Sequence, residues 1–343
     1  MAVTTSSEKQ ARDYLAGTAL SPADFDELVR SLQNQRRFGL ARRVLERARS
    51  QPGVPGSEPL SPERRFALAR NLALCTYMDP DLPLDSALDR ALAILREACN
   101  LEETQDQEVL GRLGAIFKRR WESRARTDDL ERSLAYYSRG AEIGSERDDG
   151  YNAINAAFVL DLLAEQADSD PAMRVSASPI SQARRQRARE LRQRIVEVVP
   201  IPPEGSETKD DWWRLVTVAE AHFGLRDYGS AKRLLRRAGS IPGVPDWNRE
   251  STARQLARLA RCHNAVGGMD GATPGKAAFG LRVVTTTGEP INPISGFIRY
   301  TGYLVSGVLF LIGFLMIFGN RERRGFHDYW AGTLVVKSKR NVA

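Results

Sequence analysis

Cysteine and histidine are both scarce, at three residues each in a chain of 343. Cys75, Cys99 and Cys262 are odd in number and far apart, which excludes a disulfide framework and fits a reducing cytosol. His222, His263 and His327 are scattered, and no Cys/His spacing suits zinc, so neither a metal site nor a cofactor is expected. No nucleophile motif with an oriented base is present, and the chain is not expected to be an enzyme. The Gly-rich stretch 267–276 matches neither a P-loop nor a dinucleotide fingerprint and reads as a loop. The first residues, MAVTTSSEKQARDYLAG, lack the apolar core of a signal peptide, so the large domain is expected in the cytoplasm.

One further absence points somewhere. Tyr300–Asn320 carries no charge over 21 residues. As a helix it would run roughly 31 Å at 1.5 Å per residue, close to the ~30 Å hydrocarbon core of a bilayer. Arg299 stands before it, and Arg321, Arg323 and Arg324 follow it. From Val266 onward nine basic residues face four acidic ones, +5 of the chain's total of +7, which leaves +2 for everything before. The basic excess therefore belongs to the membrane-flanking tail. It suits anionic headgroups better than nucleic acid, which is not an expected partner. The expected localisation is the cell membrane, with the repeats on its cytoplasmic side.

Positions 20–265 are rich in Ala, Leu and Arg, with apolar residues at helical spacing. In 212–243, helix one carries Leu215, Val218, Ala219 and His222; helix two carries Ala231, Leu235 and Ala238, and Pro242 closes the unit. This resembles a tetratricopeptide repeat, with small residues where two helices approach closely. The same grammar recurs at 28–52, 66–98, 113–140 and 151–199, with 250–265 as a terminal capping helix. The expected fold is mainly α: a solenoid of about five tetratricopeptide-like hairpins, then a membrane helix with short flanking strands. Residues 1–19 are expected to be a disordered N-terminus, 20–265 the repeat domain and 266–343 the membrane domain. An irregular helical bundle is the structural alternative.

Five blocks in order resemble the TRAF-binding, tetratricopeptide-type regulatory region of apoptosis-signal-regulating kinases and its bacterial relatives. They are GAIFKRRW, DLERSLAYYSRGAEI, GYNAINAA, DDWWRLVTVAEA and DWNRESTARQL, within Ser86–Leu256. The resemblance implies a regulatory scaffold or sensor, in bacterial stress or defence signalling, that binds a protein or a small signalling ligand. Lys118, Arg119, Asn155, Thr217 and Glu220 fall on predicted inner helices, which line the concave face of a solenoid. Trp121 and Trp213 could serve as aromatic anchors. Lys118 and Glu220 could equally satisfy a polar spot between repeats. A protein partner or a homo-oligomer is expected. The arginines of 184–194 form either a solvated face or a surface for anionic lipid.

Near the C-terminus, TPGK, GLRVV, Arg299, the apolar run, His327–Asp328 and AGTLVV resemble the C-terminal half of the RDD family, over about Gly268–Ser338. That family comprises multi-helix membrane proteins named for one arginine and two aspartates. Its first hydrophobic helix has no counterpart here, and only Asp328 matches the second aspartate. Asp328 could order the local turn or bind a solute. A second functional reading is therefore a subunit of an RDD-type transport assembly. Gly302, Ser306 and Gly313 share one face of the apolar run, where small residues let membrane helices approach. The positive-inside rule puts the C-terminus in the cytoplasm, as the missing signal does for the repeats. Both hold if the apolar segment enters and leaves on one side, with the strand candidates Leu281–Val284 and Leu334–Val336 paired; a simple tail anchor is the alternative.

Overall fold

The computed structural model describes residues 6–50, 60–169, 179–266, 281–285, 328 and 333–337. Among these, twelve α-helices precede one small sheet. Helix α1 spans Ser6–Ala16, within the stretch expected to be disordered. Its Ala11 and Tyr14 face the first core cluster, Glu8 pairs with Arg37 at 2.6 Å, and burial of that apolar side supplies the order that composition did not suggest.

Ten helices follow as five hairpins: α2 (Pro22–Asn34) with α3 (Phe38–Ser50), α4 (Pro62–Met78) with α5 (Leu84–Ala98), α6 (Gln107–Arg124) with α7 (Thr127–Ile143), α8 (Tyr151–Ser169) with α9 (Pro179–Val198), and α10 (Trp212–Gly224) with α11 (Tyr228–Ser240). Helix α12 is Asp246–Val266. Local chemistry starts several of them. Ser21 and Ser61 each accept a backbone N–H three residues on, with proline next in line, and Asp106 and Asp227 do the same for α6 and α11.

The repeat is visible in backbone detail. Arg36 and Arg226 both adopt a left-handed φ, 59° and 66°. Each turn is closed alike: Arg37 N–H donates to the Leu32 carbonyl at 2.8 Å, and Asp227 N–H to that of His222 at 2.9 Å. The first and fifth hairpins thus share one turn.

The even-numbered helices α4, α6, α8 and α10 lie side by side as an inner layer, with the odd-numbered helices packed outside. Among the described residues five apolar clusters carry the stack. They centre on α1–α4, on α4–α6, on α7–α8, on α8–α11 and, the smallest, on α8–α9. At the α6–α7 crossing the two backbones approach so closely that Gly114 takes the ring of Tyr137 on its Cα, and the Ser133 hydroxyl donates to the Gly114 carbonyl at 2.8 Å.

In the tail, β1 (Leu281–Thr285) and β2 (Thr333–Lys337) pair antiparallel, from Leu281 opposite Lys337 to Thr285 opposite Thr333. Among the described residues no helix is long and apolar enough to cross a membrane. The apolar run 300–320, with Gly302, Ser306 and Gly313, lies outside the described residues, as do Arg299 and His327.

Gly114→Val places branched carbons against a ring already 2.7 Å from an ideal Cβ. We expect a loss of about 2 kcal/mol from overpacking. A lower urea midpoint by circular dichroism, with an unchanged slope, is the measurement; a midpoint equal to wild type would show that the crossing is looser than this.

Candidate functional site

The inner layer should be apolar wherever helices meet, and for most of its length it is. A polar seam interrupts it. Lys118 on α6 donates to the side-chain Oδ1 of Asn155 on α8 at 3.2 Å, and Asn155 Nδ2 donates in turn to the Tyr151 backbone carbonyl at 2.9 Å. Gln255 of α12 closes the seam. Its Oε1 lies 3.5 Å from Lys118 Nζ, and its Nε2 donates to both carboxylate oxygens of Glu220 on α10, at 2.9 and 3.0 Å. One neutral amide thus stands between an ammonium and a carboxylate.

Burial sets the electrostatics. Glu220 is 6% exposed, and desolvation holds its pKa above the usual carboxylate range despite the Gln255 hydrogen bond and the nearby Arg192 and Lys118. Desolvation lowers the Lys118 pKa, opposed by Glu122 and Glu220. Two rings face the ammonium, Phe158 at 5.3 Å and Tyr137 at 6.0 Å from their centroids, a cation–π environment.

Behind the seam lies a buried ion pair. Arg192 on α9 is 1% exposed and donates to Asp161 on α8 at 2.6 Å. Gly224, the last residue of α10, makes room for it: an added Cβ would lie 2.1 Å from Arg192 Nε. Arg192 is therefore neither part of a solvated face nor free for lipid. Ala188, Arg192 and Ile195 share the buried face of α9 at i, i+4 and i+7. Four of its neighbours also engage this chain: Arg184 pairs with Glu131, Arg185 with Asp168, Arg187 with Glu190, and Arg189 donates to Gln186.

The expected site residues separate into two groups. Lys118, Asn155 and Glu220 come together. Trp121 packs against the α7–α8 cluster that also holds Tyr137 and Phe158, with the guanidinium of Arg258 5.7 Å from its ring. The others stand apart. Arg119 stacks over Tyr77 at 5.3 Å and donates to Met78 Sδ at 2.8 Å, toward α4. Thr217 is buried against the Gly150 backbone at the α8–α10 contact. Trp213 is 43% exposed beside Trp212. Gln255 and Asp161 escaped the sequence reading, and Arg192 was expected on a solvated or lipid-facing surface. The amphipathic pattern of α12, with Leu259 and Cys262 buried, could have pointed to Gln255. In the tail, Asp328 is buried at 3% exposure.

This fold defines the class: a tetratricopeptide-type helical-repeat protein with a separate C-terminal segment. Comparison with known families makes it more particular. Residues 37–160 match the family model described as Tetratricopeptide Repeats-Sensor, and residues 264–332 match that of the RDD family. The chain is a helical-repeat protein with a membrane-associated RDD part. Among curated proteins it is 46% identical over 65 residues to "Uncharacterized protein YxaI" of Bacillus subtilis (strain 168). That alignment covers 19% of this chain and 42% of that protein, so the chain spans less than half of the relative's length. No solved structure matches.

Arg192→Ala should cost about 3–5 kcal/mol, because it leaves Asp161 charged and buried without its partner. Arg192→Met with Asp161→Leu should recover most of that loss. Urea unfolding of the two variants is the check; a double variant no more stable than the single one would mean that the guanidinium contributes more than charge neutralisation.

Proposed function

We propose that this protein is a membrane-attached sensor or scaffold whose inner helical face takes up a protein or a small signalling ligand, and whose RDD part confines that event to the membrane. The observation that carries this reading is the seam of Lys118, Asn155 and Glu220. A purely structural stack gains nothing from a desolvated ammonium and carboxylate that do not meet each other, since apolar residues of similar volume would hold the layer at least as well. Hydrogen-bonding groups collected on one face of adjacent helices are what recognition of a partner requires. The family match over 37–160 supports the sensor assignment, and the match over 264–332 supports the membrane attachment.

The β1–β2 ladder adds a topological reading. Paired strands lie about 4.8 Å apart. The apolar core of a bilayer is ~30 Å thick. Two strands bonded to each other therefore lie on one side of the membrane. The basic residues that flank the apolar run favour the cytoplasmic side.

Two experiments test this. Asn155→Ala with Glu220→Ala should abolish co-purification of the partner from native membranes, with helicity and membrane association retained; partner recovery equal to wild type would move the site elsewhere. For topology, single cysteines at Thr286 and Ser338 in a cysteine-free background should both resist a membrane-impermeant maleimide in intact cells and both react after lysis. Labelling of either in intact cells would refute the cytoplasmic placement, and labelling of only one would refute the shared side.

A further inference from the structure

The inner face is already occupied. Helix α12 does not add a sixth hairpin to the stack; it lies across the inner helices. At its start, Trp247 donates to the Asn34 carbonyl at 3.3 Å and meets Phe38 edge-on at 6.1 Å, and Glu250 pairs with Arg36 at 2.7 Å, all at the first hairpin. In its middle, Gln255 holds Lys118 and Glu220. Toward its end, Arg258 lies 3.6 Å from Glu165, and Leu259 and Cys262 enter the cluster of Phe158, Val159 and Leu162 on α8. The groups that suit an incoming partner are those that α12 now occupies.

We propose that α12 is an exchangeable occupant of this groove, which an amphipathic helix of a partner protein replaces. The proposal rests on the sensor reading above and names its partner class. Three observations carry it. The groove accepts a helix, because it holds one. The hold is thin: from 246 to 262 only Asn248, Leu259 and Cys262 of α12 are buried, and the remaining contacts are partly exposed, most of them polar beside the Trp247 ring on Phe38. The central contact is a compromise, because a neutral glutamine bridges a lysine and a glutamate that an incoming helix could pair with side chains of opposite charge. Elements with few buried apolar contacts are the ones that open locally at small cost. Helix α12 ends at Val266 and the RDD match begins at residue 264, so its release alters the connection between repeats and membrane segment.

Tethering explains why the groove is closed at rest. A covalently attached helix competes at an effective concentration in the millimolar range, so a free helix in trans at micromolar concentration loses unless it binds more tightly.

Cys262 reports the docked state. It is 4% exposed, its thiol is hydrogen-bonded to Glu165 at 3.4 Å, and burial together with that carboxylate pushes its pKa up to about 12. Undocking would return it to an ordinary, reactive thiol.

The test uses the full chain in detergent with Cys75→Ser and Cys99→Ser. Two variants loosen α12: Leu259→Asp, and Gln255→Ala, which removes the bridge to both Lys118 and Glu220 without touching the apolar contacts and carries the test if Leu259→Asp fails to fold. The probe is a fluorescein-labelled peptide of residues 246–266 with the wild-type sequence except Cys262→Ser. In the loosened variants, maleimide modification of Cys262 should be at least about tenfold faster than in the parent chain. The peptide should bind them at least about tenfold more tightly than it binds the parent, where the tethered helix competes. Equal alkylation rates in parent and variants, or equal peptide affinity, would overturn the exchange proposal and leave the groove reading standing. Peptide binding that survives Asn155→Ala with Glu220→Ala in the loosened chain would instead overturn the groove reading itself.

Discussion

Desolvation of charged groups on the inner layer is the constraint on which the middle of this molecule depends. Lys118, Glu220, Arg192 and Asp161 are all held among apolar helices, and an unpaired charge there would cost several kcal/mol. Arg192 and Asp161 meet directly at 2.6 Å. Lys118 and Glu220 do not; each is satisfied through Asn155 or Gln255. The backbone yields to these demands. Gly224 leaves space for the Arg192 guanidinium, and α12 crosses the inner layer where Gln255 can reach two helices at once.

That arrangement links recognition to architecture. A groove whose polar floor is fulfilled by the chain's own last helix is stable without a ligand, and the same floor is available to a competitor. Because α12 also touches the first hairpin through Trp247 and Glu250, it ties the start of the stack to its middle. Because it leads into the RDD segment, it is the one described helix with a stake in both parts of the chain. The β1–β2 ladder constrains the other end, since two strands bonded to each other cannot lie on opposite sides of a bilayer.

The legible parts of the fold are those governed by local periodicity. All five hairpins and the last helix were readable, because small residues such as Gly114, Ala219 and Ala231 recur at the crossings and Ser, Asp and Pro mark the helix starts. The two strands were readable because Val-rich runs flank a polar turn on one side and close the chain on the other. Helix α1 was not, because its sequence is polar and only Ala11, Tyr14 and a few neighbours are buried, a face whose partner lies elsewhere in the chain. Arg192 was read as one of a series of surface arginines, although its register with Ala188 and Ile195 placed it inward.

By itself the sequence determined the helical-repeat class, the order of the five hairpins, the likeness to the RDD family and three of the groups in the seam, Lys118, Asn155 and Glu220. These follow from spacing along one helix or strand, which is a local property of the chain. Only the tertiary structure decided that Arg119, Thr217 and Trp213 belong elsewhere, that Arg192 is neutralised by Asp161, and that Gln255 stands between Lys118 and Glu220. Gln255 lies 137 residues from Lys118 and 35 from Glu220 along the chain. No local pattern encodes a meeting at such separations; it results from the way successive hairpins stack and from where the last helix finds apolar surface and hydrogen-bond partners together.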